Sequence, residues 1–427
     1  MVENPANKST PIRCVSNSSQ RYKGFSLNSS CHKGLDVVNN MMAIILRFRE
    51  AEVASQGDVS KMFYQVRVKK EDRMMQLFLM KFLGEDKVCT FAMNVLIMGH
   101  KPSSNLAIIA LKETGNLKDF PEKYPKARGA LQEDSFVDNI FMLDNSIEDV
   151  LEGIKQVENI SAQGGFKYKP WMISGQSQED DTGEVKIMPH SPDGEDEKAV
   201  GLGWRILEDD INTAPGVNFS TKKGKIREGK DLSVDEIREL RHKIELTLRN
   251  CLIQLMRLYD PTGLFLPFCM VGRLHLRETL FHVKQNMKGA IPWDKPITDE
   301  KLISRWIDFF VDMTKIENIR IQRRTKPEGT IPGFKPKLVT FSDGNQEAYG
   351  CVAYALWKML NRKNKAVFLM AKAKIGPLTS NGDVVRMELS AATAATRLQN
   401  LIKTHSRLDY EEHIPICDSR FVQSMIN

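Results

Sequence analysis

Long apolar runs are missing from this 427-residue chain. None approaches the roughly 20 residues that a membrane-spanning helix requires, which excludes a helical anchor. The opening residues MVENPANKSTPIR contain no apolar stretch, which excludes a secretory leader there. Cysteine is sparse: seven residues, at 14, 31, 89, 251, 269, 351 and 417. None forms a C-x-x-C pair or stands at zinc spacing from a histidine, so neither a structural zinc site nor a disulfide framework is expected. An intracellular, reducing setting is therefore expected, and not a secreted protein. A large excess of one charge is also absent. Lys and Arg number 61 against 54 Asp and Glu, a net +7. That balance permits a polyanionic partner without selecting one. What is present is enough apolar residue, 41%, to build real cores, and enough length for two or three domains.

Two stretches divide the chain. After Gly175, eight acidic residues fall between Glu179 and Glu197 against one lysine, with Pro189 and Pro192 among them. Such a stretch cannot bury apolar surface and reads as a linker over 176–198. RTKPEGTIPGFKPK, residues 324–337, is rich in Pro and Gly and marks a second boundary. The blocks are therefore 1–175, 199–334 and 335–427. In the first, DVSKMFYQVRV reads as a strand running into a turn or short helix, and KVCTFAMNVLIM as a strand. PSSNLAIIALKET reads as a helix with Ser103 or Ser104 near its N-cap. DSFVDNIFMLD reads as a β-hairpin with residues 137–140 at its tip, and IEDVLEGIKQVENISAQGG as an amphipathic helix ending on glycine. In the second block Ser233 and Glu236 form a capping-box pattern. Ile237, Leu240, Ile244, Leu248, Leu252, Leu255 and Leu258 then recur at helical spacing up to Pro261, which predicts one long helix. The third block offers three strands (KLVTFSD, AYGCVAYALW, AVFLMAKAKI), a helix (RMELSAATAATRLQNLI) and a fourth strand (HIPICDS). This β-β-β-α-β order predicts a mixed-sheet α/β plan.

The candidate chemistry lies in carboxylates. Two-metal nucleotidyl transfer needs acids from separate segments converging on two cations about 3.5–4 Å apart. Asp58, at a strand end, and Asp138, at a hairpin tip, meet that description. Asp is also common at strand ends and turns for local hydrogen-bonding reasons, and spacing alone leaves both readings open. TKKGKIREGK at 221–230 and RIQRRTK at 320–326 are the densest basic segments. They read as phosphate contacts or as solvated loops. Trp171, Trp204, Trp293 and Trp306 read as core residues rather than base-stacking platforms.

TPIRCVSNSSQRYKGFSLN, LDVVNNMMAIILRFRE, DVSKMFYQVRVKKEDR, FAMNVLIMGHKPSSNLAIIALKET, SFVDNIFML, GGFKYKPWMIS, EKAVGLGWRI and LYDPTGLFLP occur in this order. In that order they resemble the polymerase polyprotein of LTR retrotransposons of the BEL/Pao group. The resemblance implies a right-hand polymerase: reverse-transcriptase fingers and palm in 1–175, then a helical thumb or connection region in 199–334. It implies Mg²⁺- or Mn²⁺-dependent addition of deoxynucleoside triphosphates to a primer on an RNA or DNA template, with other polyprotein-derived parts as further partners. Asp58 would be the metal-binding acid of the first catalytic motif, and Asp138 the first acid of the hairpin. Arg13 would meet the incoming triphosphate. Tyr64 would lie near the sugar, a core aromatic being the equal alternative. Gln65 would touch template or nucleotide, and Gly99 and Ser103 would belong to the loop and helix beneath the templating pair. Departures are visible. Asn139 replaces the hairpin's second Asp and takes a negative charge out of the site, Phe136 replaces Tyr, Asn17 stands where Asp is frequent, and Asn105 replaces Pro.

TFSDGNQEAYGCVAYALW, VVRMELSAATAATRL and ICDSRFVQSMIN are similar to the ribonuclease H-like module of the same elements. The resemblance implies that Asp343, Glu388 and Asp418 are catalytic metal ligands. The module's usual fourth acid would lie beyond Asn427, so 335–427 reads as an incomplete RNase H-like domain. A second function class stays open: a catalytically decayed or repurposed fragment that binds nucleic acid without chemistry, which Asn139 favours. An aspartic peptidase ranks third, because Asn345 and Gln346, rather than an apolar flap, follow Asp343-Gly344.

Overall fold

The computed structural model describes residues 2–3, 12–13, 16–117, 120–175, 185–187, 197–213, 215–219, 231–284, 290–361, 363–376 and 383–426. Most of the acidic stretch, the whole 221–230 basic segment and the side chain of Arg13 lie outside the described residues. Helices and small sheets are mixed throughout, in two compact units. One comprises Met1–Ile44 and Ala51–His190, the other Ile45–Glu50 and Ser191–Asn427. Among the described residues no helix is long and apolar enough to cross a membrane.

The first unit is built on a four-stranded antiparallel sheet. Its order is Ser135–Phe136, Asn139–Asp144, Val53–Asp58 and Met172–Ile173. Val53–Asp58 and Asn139–Asp144 each bury their four middle residues. In the second these are the apolar run Ile140–Leu143, whereas in the first the buried Ser55 and Gln56 donate hydrogen bonds to Met142 O and Asn139 Oδ1. Helix Ile147–Gln163 covers this sheet with Val150, Gly153, Ile154, Val157 and Ile160, a stripe at helical spacing. Each fully buried Val or Ile there contributes about 1.5–3 kcal/mol. Ser146 caps the helix by accepting from the Asp149 N–H at 3.1 Å, and Gly165, at φ 78°, follows its end. The hairpin turn is tighter than its sequence suggests. Phe136 pairs with Asn139, leaving only Val137 and Asp138 as turn residues. Val137 has φ 56°, a left-handed conformation that a β-branched side chain adopts at a cost.

The second unit carries a helical cluster and two sheets. Helix Glu300–Lys315, capped by Asp299, buries Leu302, Trp306, Phe309, Phe310 and Met313. These pack with helices Leu248–Leu255 and Leu266–Lys284. Trp204 and Trp306 are fully buried here, as Trp171 is in the first unit, in line with their reading as core. The predicted single helix after Ser233 is broken into Val234–Arg238, Leu240–Lys243 and Leu248–Leu255. The reason is tertiary. Ile244 is extended at φ −143°, ψ 141°. The Ile297 N–H donates to Leu246 O and the Arg249 N–H to Trp293 O, and Thr247 starts a new helix through a capping box with Asn250. The apolar residues still face the core, so the periodicity survives the break.

One sheet of this unit pairs Ile321–Gln322, Asp210–Asn212, Leu202–Arg205 and Glu197–Ala199 in that order, and the other has the order Asn364–Ile375, Ala348–Lys358, Lys337–Gly344, Glu412–Cys417. In the latter the first three strands are antiparallel, and Glu412–Cys417 runs parallel to Lys337–Gly344. Helix Val384–His405 buries Met387, Ala391, Ala395, Leu398 and Ile402 and packs on the two central strands. Its alanines allow a close approach to the sheet. The β-β-β-α-β order read from the sequence is therefore present. Within RIQRRTK, Arg320 and Arg323 turn toward carboxylates of the protein itself. Arg323 is fully buried, donates to both Asp209 oxygens at 2.6 and 2.7 Å and lies 5.3 Å from the Phe48 ring centre. Arg320 reaches Asp210 at 3.3 Å.

Candidate functional site

Asp343 lies at the end of the Lys337–Gly344 strand, and Asp418 directly follows the neighbouring parallel strand Glu412–Cys417. Two parallel neighbours in register, Ser342 opposite Cys417, deliver the two carboxylates to the same edge. Glu388 comes from the first turns of helix Val384–His405. What lets the helix approach is Gly344. A Cβ at that position would fall 2.6 Å from the Met387 carbonyl carbon and 2.7 Å from the Glu388 nitrogen, distances that no side chain tolerates. One carboxylate oxygen from each of Asp343, Glu388 and Asp418 lies within 4.8 Å of the others. Burial, and then the charges of Asp343 and Asp418, push the Glu388 carboxyl above its ordinary value.

Three hard oxygen donors crowded together in this way fit a divalent cation. The cation would relieve the mutual repulsion that raises Glu388. Among the described residues this is the single group of three or more His, Cys, Asp or Glu side chains so arranged. Asp343 and Asp418 also line a cavity of about 1020 Å³ whose walls include Leu266, Met270, Phe341 and Tyr354. Asn345 is occupied structurally. Its Oδ1 accepts from the Glu347 and Ala348 N–H groups, both at 2.9 Å, and closes the turn after Gly344.

The other set of candidates lies in the first unit. Asp58 pairs in register with Asn139, and the Val59 N–H donates to Asp138 O at 2.8 Å. Asp58, Asp138 and Asn139 are therefore neighbours, as expected from the hairpin. Lys169, which no sequence pattern singled out, donates from Nζ to Asp58 Oδ2 at 3.0 Å. Gln56 Nε2 donates to Asn139 Oδ1 at 3.1 Å. Tyr64 and Gln65, on the short helix Met62–Gln65, line a separate cavity of about 650 Å³ with Thr114 and Gly164. Gly99 sits at φ 93°, and a Cβ there would fall 2.1 Å from Ser16 O, so its role in this fold is close backbone approach. Ser103 begins helix Ser103–Thr114 and is buried; Pro102, not a serine, is at the N-cap.

Residues 247–419 match the family described as Pao retrotransposon-like RNaseH-like domain. No curated protein matches the sequence. Among solved structures, a foamy viral protease-reverse transcriptase dRH in complex with double-stranded DNA is similar in fold, with a TM-score of 0.52 at 12% identity over 96% of this chain. The chain spans 57% of that structure's length. A foamy viral protease-reverse transcriptase in complex with an RNA/DNA hybrid has a TM-score of 0.47 at 12% identity, over 91% of this chain and 42% of that one. The family match thus covers residues 247–419, and the first of these structures shows a shared fold over nearly the whole chain.

Proposed function

We propose that this Pao-type retrotransposon Pol region hydrolyses one strand of a nucleic-acid duplex at Asp343, Glu388 and Asp418, with RNA paired to DNA as the substrate. The observation that carries the reading is the convergence of the three carboxylates within 4.8 Å, inside the segment that matches the RNaseH-like family. Asp343 and Asp418, fixed by paired strands, and Glu388, fixed by a helix seated on Gly344, would hold the metal. Bound there, Mg²⁺ or Mn²⁺ supplies a nucleophilic water and neutralises charge developing on the phosphate. Asp343 stands on a paired strand, Glu388 on a helix and Asp418 directly after a paired strand, placements that favour a preorganised set of oxygens. A duplex partner is supported by the DNA in the similar foamy viral structure.

The layout proposed with it is fingers and palm in 1–175, a linker over 176–198, a thumb or connection region in 199–334 and the RNase H-like module in 335–427. A second reading, addition of deoxynucleoside triphosphates to a primer, is favoured by the pairing of the Asp58 strand with the Asp138–Asn139 hairpin. The first reading is tested with a hybrid whose RNA strand carries a 5′ label, incubated with the purified chain and Mn²⁺. Shortening of the RNA that disappears with Asp343→Asn supports hydrolysis; RNA that stays intact with the unmodified chain overturns it.

A further inference from the structure

We propose that the Asp58 corner is not a metal centre: the Lys169 ammonium is the built-in counter-cation of Asp58, in the place where a polymerase reading puts a divalent ion. This inference concerns a different site from the hydrolytic centre and does not depend on it.

Lys169 is held against Asp58 at two points. Its Nζ donates to Asp58 Oδ2 at 3.0 Å, and its own backbone N–H donates to Asp58 O at 2.9 Å. The residues around it are pinned as well. The Ser60 N–H donates to Lys167 O at 2.7 Å, and Val59 bridges Tyr168. Tyr168 stacks on Trp171 with ring centres 5.1 Å apart, and Trp171, fully buried, donates from its indole N–H to Glu158 at 3.0 Å. Gly57 completes the clamp, since a Cβ there would fall 2.7 Å from the Trp171 ring. The segment carrying Lys169 thus runs beside the Asp58 strand as a fixed neighbour, and the ammonium is presented by a rigid backbone.

The charge count agrees. A pair of divalent ions needs several anionic ligands. Here the hairpin's second position is Asn139, a neutral donor, and its carbonyl oxygen already accepts from Gln56 Nε2 at 3.1 Å. One acid of the expected set is thus an amide, and Asp58 already has a cation supplied by the chain, Lys169 at 3.0 Å. The donor set therefore does not fit the ion pair that the fold family implies. The corner is left as a positioned polar surface, with Lys169 a positioning residue that ties the Asp58 strand to residues 166–171.

The test uses the full chain with Asp343→Asn, Glu388→Gln and Asp418→Asn, so that any bound Mn²⁺ reports on the Asp58 corner. Titration followed by electron paramagnetic resonance is expected to show no Mn²⁺ bound at submillimolar concentration. Adding Lys169→Met and Asn139→Asp is expected to create a site binding at least tenfold tighter. Mn²⁺ binding without those two changes, abolished by Asp58→Asn, overturns the proposal. So does failure of the two changes to create a site in a chain whose near-ultraviolet circular dichroism is native. A second readout needs no variant: the rate at which Lys169 is reductively methylated in the unmodified chain stays constant as Mn²⁺ is added. A rate that rises with Mn²⁺ means the ion displaces the ammonium, and contradicts the assignment.

Discussion

Gly344 and Glu388 are in backbone contact: a Cβ on Gly344 would fall 2.7 Å from the Glu388 nitrogen. The strand end bearing Asp343 and the helix bearing Glu388 are thereby set at the separation that brings their carboxylates together. Gly344→Ala forces them apart. An overpacked contact of this kind costs about 1–3 kcal/mol, and the ligand set widens with it. Chemical denaturation and Mn²⁺ titration of the same variant are expected to show both losses. Unchanged affinity for Mn²⁺ would mean that the helix position does not set the site.

On the proposed reading, removing one carboxylate removes a metal ligand; it also relieves the repulsion that, after burial, raises Glu388. Asp343→Asn or Asp418→Asn is therefore expected to weaken Mn²⁺ binding by at least about tenfold, the lower end of what even an outer-shell partner contributes. The apo chain, by contrast, should hold or gain stability. Paired calorimetric scans with and without Mn²⁺ check this: the metal-induced rise in Tm shrinks while the metal-free Tm does not fall.

Arg323 and Asp209 form the most enclosed ion pair of the second unit, with the guanidinium fully buried. Deleting one partner of a buried pair leaves the other charge uncompensated and costs about 3–5 kcal/mol. Arg323→Leu is expected to lower stability by that order in urea denaturation, and Asp209→Asn added to it to restore part of the loss. A double variant no more stable than Arg323→Leu alone would show that the stranded Asp209 carboxylate is not the source of the cost.

Glu50 gives the pH dependence. Burial raises its carboxyl above the ordinary value of 4.5, although the Ser406 hydroxyl and the Arg407 N–H donate to it at 2.6 and 2.8 Å. A raised folded-state value means the protein holds the proton more tightly folded than unfolded. The stability that this contributes is complete below the ordinary carboxylate value and is lost as pH rises through the folded one. Glu50→Gln has no such loss, so its Tm relative to the unmodified chain is expected to climb between about pH 4 and pH 7. A Tm difference that is flat over that range would contradict the assignment.

How much of this was legible in the sequence depends on where the determining forces act. The RNase H-like sheet could be read because its strands alternate or run apolar locally and its helix repeats Met387, Ala391, Ala395, Leu398 and Ile402 on one face. Asp343, Glu388 and Asp418 were singled out by the family resemblance, and the structure brings them together from a strand end, a helix and the residue after a strand. The break at Ile244 could not be read, because backbone pairing with residues 293–297 supplies it while the apolar period continues through it. Arg323 was readable only as a phosphate contact or part of a solvated loop, because its partner, Asp209, is more than a hundred residues away. Lys169 carried no signal for the same reason: it meets Asp58 only when residues 166–171 fold back beside the strand. Gly344 was visible as part of an Asp-Gly pair, but what it approaches was not.

Metal-dependent chemistry is proposed here to reside at Asp343, Glu388 and Asp418 and not at Asp58. The most direct measurement follows both activities in one reaction: an RNA template with a recessed DNA primer, each strand labelled separately, incubated with the full chain, deoxynucleoside triphosphates and Mn²⁺. The account predicts that the RNA shortens, that Glu388→Gln stops the shortening, and that the primer keeps its length. A primer that lengthens in the unmodified chain and stops lengthening with Asp58→Ala, while the RNA stays intact, would contradict it.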